Sequence, residues 1–193
     1  MNYRVNEIFT SLQGEGFHSG TAAIFIRFSG CNLRCPFCDT DFSAFSTMSL
    51  EDILSFVERE PVKFVVLTGG EPSLQADDAL VDGLHRAGKW VAMETNGTHA
   101  LPNGIDWITL SPKNDHVSGA ELRLKECDEL KIVYTGETFS TFPDISATHR
   151  FLQPCDTGNR ARNEALMREA AAWCLKHPEW RLSLQIHKII GIR

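Results

Sequence analysis

"AAIFIRFSGCNLRCPFCDT", Ala22 to Thr40, decides how the rest of the chain is read. Its first half, Ala22–Gly30, is an apolar run of strand length ending in Ser-Gly, with Arg27 as its one charged residue. Its second half, "CNLRCPFCDT", packs Cys31, Cys35 and Cys38 into eight residues. A strand apolar on both faces belongs in a parallel sheet covered by helices. In such sheets ligands bind just beyond the carboxyl ends of the strands. A thiol-rich loop at that position is placed to hold something.

The pattern recurs downstream. "VKFVVLTGG" (Val62–Gly70), "KWVAMETNG" (Lys89–Gly97), "IDWITLSPK" (Ile105–Lys113), "ELKIVY" (Glu129–Tyr134) and "HRFLQP" (His149–Pro154) read as further strands, and "RLSLQIHKII" (Arg181–Ile190) as a final extended segment. Three windows have helical spacing. Ser49–Glu60 opens with a capping-box pair, Ser49 and Asp52, aligns Leu50, Ile53, Leu54 and Val57, and stops at Pro61. Asp77–Ala87 aligns Leu80, Val81, Leu84 and Ala87 before Gly88. Asn159–Lys176 carries Leu166, Ala170, Trp173 and Cys174 and ends before Pro178. Early βαβ alternation implies right-handed parallel crossovers. The expected fold is α/β: an incomplete TIM-like barrel of about six parallel strands with about three helices, one domain over residues 1–193. Polar motifs follow the strands in turn: "CNLRC", "TGGEP", "ETNG", "SPK" and "QPCD". Their convergence on one face predicts a site there.

Composition narrows the classes. Of 193 residues, 42% are apolar and 23% charged, which suits a globular domain. A formal net charge of −6 argues against a nucleic-acid partner, which needs a basic face. "MNYRVNEIFT" lacks an apolar leader and no run approaches a membrane span, so no membrane partner and a cytoplasmic location are expected. Six cysteines in that setting suggest thiols rather than disulfides.

Three thiolates from one tight loop suit a cubane iron–sulfur cluster, in which each iron takes one outside ligand. Cys31, Cys35 and Cys38 would fill three corners and leave the fourth iron open, and an open metal position is where chemistry occurs. Structural zinc would want four ligands in two separated pairs. A redox dithiol would leave Cys31 unexplained. An electron carrier, a ferredoxin for example, would close its cluster with a fourth cysteine. The remaining Cys127, Cys155 and Cys174 are scattered and read as small buried hydrophobes.

"CNLRCPFC", with Phe37 before the last cysteine, resembles the Cys-x3-Cys-x2-Cys motif of radical S-adenosylmethionine (SAM) enzymes, and "TGGEP" (Thr68–Pro72) resembles their glycine-rich motif. "EIFTSLQGEG", "CDT", "SPK", "QPCD" and the terminal "QIHKIIGIR" together resemble the 7-carboxy-7-deazaguanine synthase family over nearly the whole chain. The resemblance implies a lyase of queuosine and deazapurine biosynthesis. It would convert 6-carboxy-5,6,7,8-tetrahydropterin to 7-carboxy-7-deazaguanine by radical ring contraction with loss of ammonia. It implies a [4Fe-4S] cluster on Cys31, Cys35 and Cys38, catalytic SAM, Mg2+, an external reductant such as flavodoxin or ferredoxin, and a homodimer. A small radical SAM activase that places a glycyl radical on a partner enzyme shares the cysteine spacing. "LQGEG", Thr40 and the terminal motif favour the synthase.

By the same resemblance, Thr40 contacts magnesium, and Phe37–Asp39, Gly70, Ser111–Lys113 (with Pro112) and Gln153–Asp156 (with Pro154 and Cys155) contact SAM. Glu71 is expected to pair with the methionine ammonium, and Glu94 and Asn96 to hold the ribose. Their plainer roles are a solvated acid, for Glu71, and an Asn-Gly turn. Leu12, Gln13, Gly14 and Glu15 form the expected clamp for the pterin edge, with Thr68, His187 and the backbone of Arg193 as further substrate contacts. Arg27, a charge inside an apolar strand, needs a partner. A substrate carboxylate fits, and an internal pair with Glu7 or Glu15 is the alternative.

Overall fold

The computed structural model describes residues 2–41 and 44–193. Nine strands form one sheet in the order β3-β1-β2-β4-β5-β6-β7-β8-β9. The parallel part runs from β2 (Ala22–Phe28) through β4 (Phe64–Gly69), β5 (Trp90–Thr95), β6 (Trp107–Leu110), β7 (Glu126–Tyr134) and β8 (Ser146–Pro154) to the two-residue β9 (Arg181–Leu182). Two antiparallel strands extend the edge beside β2: β1 (Asn2–Leu12) and β3 (Ser46–Ser49). The two ends of the sheet do not pair, so the barrel is incomplete, as the strand and helix pattern predicts.

Helices α1 (Leu50–Arg59), α2 (Asp78–Arg86) and α3 (Arg160–Lys176) lie within a residue or two of the expected windows. The capping box is formed: Ser49 N–H donates to Asp52 Oδ2 at 2.9 Å and Asp52 N–H to Ser49 Oγ at 3.1 Å. Two expectations are corrected. β1 and β3 join the sheet unannounced, and Ile186–Ile190 is a short helix, α4, instead of extended chain. Gly191 ends α4 with φ at 68°, the left-handed geometry that only glycine adopts cheaply.

Strand alternation divides the side chains. Ile24, Ile26, Val65, Leu67, Val91 and Met93 pack outward against α1 and α2 as the main core. Ala23, Phe25, Phe64, Val66 and Ala92 point into the barrel and fill its lower half. Two residues further along the same strands, the inward face turns polar at Arg27, Thr68 and Glu94. Apolar packing thus seals the bottom, and polar groups line the end where the strands finish.

Leu67 is fully buried between sheet and helices. Leu67→Ala is expected to lower the unfolding free energy by about 2–5 kcal/mol, with an unchanged urea m-value. An equilibrium urea titration checks it.

Candidate active site

The cluster loop leaves β2 at Gly30 and returns over the strand ends. Cys31, Cys35 and Cys38 are free thiols. Cys38 N–H donates to Cys35 O at 3.2 Å, and Leu33 N–H donates to Cys31 Sγ at 3.4 Å. Burial, with the neighbouring cysteines adding to it, pushes the Cys31 and Cys35 thiols above their ordinary range. A bound cation is what makes such thiols ligands, since it displaces their protons. Among the described residues no group of side chains converges on one metal ion. A cubane takes one thiolate per iron, so three neighbouring but separate sulfurs fit it.

The loop is held from beneath. Asn32 Nδ2 donates to Thr98 Oγ1 at 2.9 Å and accepts through Oδ1 from Asn96 Nδ2 at 3.1 Å. Asn96 Oδ1 in turn receives Thr98 N–H at 3.0 Å and its hydroxyl at 2.7 Å. Asn96 is therefore a brace for the cluster loop, and Glu71 is held in place likewise. Only 1% exposed, its carboxylate accepts from Ser73 N–H and Oγ, Thr95 Oγ1 and Asn96 N–H, all within 3.1 Å. Three of these bonds fall on Oε1 and one on Oε2, so the Glu71 carboxylate ties the turn after β4 to the end of β5.

Gly70 faces backbone. A Cβ there would lie 2.0 Å from Gly30 O, and Glu71 N–H bonds the same oxygen at 2.9 Å. Lys113 Nζ bonds Ser111 O at 2.9 Å and Ser111 Oγ at 2.5 Å, and burial lowers its ammonium to about 8. Across the mouth, Lys188 of α4 joins Asp39 at 2.7 Å to Asp156 at 2.9 Å, linking two segments expected to touch SAM.

Deeper in, charges are paired within the barrel. Lys131 Nζ lies 2.5 Å from Glu15 Oε2 and 3.4 Å from Glu94 Oε1. Glu94 also accepts from Thr68 Oγ1 at 2.8 Å and Gln13 Nε2 at 3.2 Å. Glu94 thus sits with the residues expected to hold substrate. Arg27 takes the internal partner: its Nε is 2.9 Å from Glu7 Oε1, and Arg193 pairs with the other oxygen of Glu7. The carboxyl-terminal segment spans the open seam of the barrel. Ile186 N–H donates to Gly14 O at 2.9 Å, Ser11 Oγ donates to Arg193 O at 2.6 Å, and the His187 ring occupies the space a Gly14 side chain would need.

These groups share one cleft of about 800 Å3. Every residue expected at the site lines it except Pro112, which is buried behind the wall. Glu7, foreseen as the alternative partner of Arg27, also lines it, as do Lys131, Gln185 and Lys188, which the sequence reading did not single out. Lys131 carried the signal that exposed Arg27, a charge in a strand that should be apolar on both faces. Gln185 and Lys188 carried none, because their segment was read as extended chain and not as the cap and body of α4.

Comparison with known proteins agrees with this geometry. Residues 25–117, from the middle of β2 to the loop beyond β6, match the Radical SAM superfamily. The 7-carboxy-7-deazaguanine synthase of Bacteroides thetaiotaomicron is 52% identical over 193 residues, the whole of both chains. That of Bradyrhizobium diazoefficiens is 44% identical, again over the whole of both. The crystal structure of QueE from Escherichia coli superposes with a TM-score of 0.76 at 29% identity, covering 97% of this chain and 95% of that one. Full-length identity to these synthases and the superfamily match from the cysteine loop through the glycine-rich strand end show that the chain belongs to the 7-carboxy-7-deazaguanine synthase family of radical SAM enzymes.

Proposed function

We propose that the chain converts 6-carboxy-5,6,7,8-tetrahydropterin to 7-carboxy-7-deazaguanine with loss of ammonia, residues 1–193 acting as one radical SAM domain. One observation carries the reading: the three-cysteine loop and the Glu15–Lys131–Glu94 floor open into the same cleft. Cys31, Cys35 and Cys38 would hold a [4Fe-4S] cluster, which would supply the electron for reductive cleavage of SAM. The protein's own part is recognition and enclosure. Phe37–Asp39, Gly70, Ser111, Lys113 and Gln153–Asp156 form the SAM wall. Gln13, Glu15, Thr68 and Glu94 face the hydrogen-bonding edge of the pterin. Arg27 and Arg193 bring two guanidinium groups to Glu7, and a substrate carboxylate competes with Glu7 for the bidentate face of Arg27. Thr40 offers Mg2+ a hydroxyl, the remaining positions being water and substrate oxygen.

The test is anaerobic incubation of the cluster-reconstituted protein with SAM, dithionite, Mg2+ and carboxytetrahydropterin, followed by mass analysis. A product of 7-carboxy-7-deazaguanine is expected, and its absence from a sample that still makes 5′-deoxyadenosine overturns the substrate. Thr40→Ala is expected to raise the Mg2+ concentration needed for half-maximal rate by about tenfold. A Mg2+ titration identical to that of the unaltered protein removes Thr40 from the metal.

We infer further that the working form is a cytoplasmic homodimer served by an external reductant such as flavodoxin or ferredoxin. Leu12, Ile186, Ile189, Ile190 and Ile192 are exposed apolar side chains on neighbouring segments, and this patch, of the kind a second copy would cover, supports the dimer. Among the described residues no helix is long and apolar enough to cross a membrane. Ile189→Lys combined with Ile190→Lys is expected to halve the mass measured by sedimentation equilibrium. An unchanged mass places the interface elsewhere.

A further inference from the structure

Lys131 is 5% exposed, on the inward face of β7. Glu129, two residues earlier on the same face, is 2% exposed and accepts Phe17 N–H at 2.9 Å. One ammonium thus lies among three carboxylates, those of Glu15, Glu94 and Glu129. Burial alone would favour neutral forms of Glu15 and Lys131, but each holds the other charged, with Glu15 lowered to about 2. Burial raises Glu129, and the close contacts of the Lys131 ammonium go to Glu15 and Glu94. A fold gains little from such a group, because the desolvation of buried charges offsets most of their attraction.

The hydrogen bonds point to another use. Glu15 accepts from Lys131, from Gln185 Nε2 at 2.9 Å and from Gln153. Glu94 accepts from Thr68, Gln13 and Lys131. With about four acceptor positions per carboxylate, each keeps roughly one, and both side chains reach the cleft. Two spare carboxylate acceptors at the floor of the cleft suit a flat ligand that presents adjacent N–H donors.

We propose that Lys131 is a positioning residue for substrate: it holds Glu15 and Glu94 as charged acceptors and so selects a ring bearing a 2-amino group beside a ring N–H, against one bearing a 2-oxo group. The inference rests on the pterin reading and deepens it. A pterin gives the carboxylates donors, whereas a lumazine turns a carbonyl oxygen toward an anion, and that repulsion is the discriminating element. Removing the cation reverses the balance at the floor. Burial then raises the Glu15 carboxyl, so that acceptor is partly protonated near neutrality and recovers as pH rises.

The experiment is calorimetric titration of the cluster-loaded protein, with SAM and Mg2+ but no reductant, using 6-carboxypterin and 6-carboxylumazine as probes. The unaltered protein is expected to favour the pterin by about a hundredfold, with an affinity flat between about pH 6 and about pH 7.5. Lys131→Met is expected to weaken pterin binding by about thirtyfold at the lower pH, to regain about tenfold at the higher, and to cut the preference below about fivefold. A double variant, Lys131→Met with Glu15→Gln, restores charge balance and keeps the shape. It is expected to fold even if the single variant does not, to bind weakly and to lose the preference. Binding of neither probe by the unaltered protein overturns the pterin reading itself. Preserved preference and a flat pH profile in the variants, after normal binding by the unaltered protein, overturn the role of Lys131 alone.

Discussion

Cys35→Ala will leave a folded protein that makes neither 5′-deoxyadenosine nor deazaguanine. The substitution removes one sulfur and keeps the scaffold of the loop. Cys38 N–H still meets Cys35 O, and the Asn32–Asn96–Thr98 brace does not involve the residue. A cubane with two protein thiolates loses a corner that no other side chain supplies, because Cys155 is turned to its own neighbour, Asp156 O, at 3.6 Å. Product formation is expected below about one thousandth of the original rate, which corresponds to about 4 kcal/mol in the barrier. The broad iron–sulfur absorbance should fall with it while the thermal midpoint of the apo-protein stays put. Cys127→Ala is the control. That thiol is buried in the core under α3 and pushed up to about 12 by burial. Its loss should cost stability and spare the absorbance. A Cys35→Ala protein with full absorbance and turnover would refute the ligand set.

Gly70→Ala will fail at the step before chemistry. An alanine Cβ at that position would sit 2.0 Å from Gly30 O and 3.1 Å from Cys31 N. Both are backbone atoms and cannot turn aside as the tip of a side chain could. The loop carrying Cys31 must separate from the glycine-rich turn, which breaks the 2.9 Å bond from Glu71 N–H to Gly30 O. Overpacking and a lost buried hydrogen bond together are expected to cost about 3–5 kcal/mol. The displaced loop should also take up less iron. Denaturant unfolding and iron content measure the two effects separately. An iron content and midpoint equal to those of the original would show that the turn has slack the structure lacks. Gly88, with nothing within 4 Å of an added Cβ, is the contrast: there an alanine meets only the strain of φ at 72°.

Much of the site was legible because its parts follow strand ends in chain order. "CNLRCPFC", "TGGEP" and "QPCD" each sit one step past an apolar run, and any parallel sheet gathers such steps on one edge. The internal partners were not legible. Glu71 accepts from Thr95 Oγ1 and Asn96 N–H at the end of β5, and Asn96 accepts from Thr98 two residues further on. Glu94 looked like part of the same "ETNG" motif. Alternation along β5 sends Glu94 into the barrel to Thr68 and Lys131, while Thr95, next to it, faces Glu71.

The order of residues alone specified a parallel α/β chain, three neighbouring thiols and an arginine in need of an anion, since apolar runs, glycine turns and ligand spacing are local properties. It could not specify which way β1 faces. Tyr3 and Val5 point to the outer core, and strict alternation would send Glu7 after them. The register slips between Val5 and Glu7, so Glu7 instead lies opposite Arg27 and Phe9 stacks on Phe25. One extra residue in a strand reverses the side on which every later residue stands, and that choice emerges only when β1 meets β2 across the sheet.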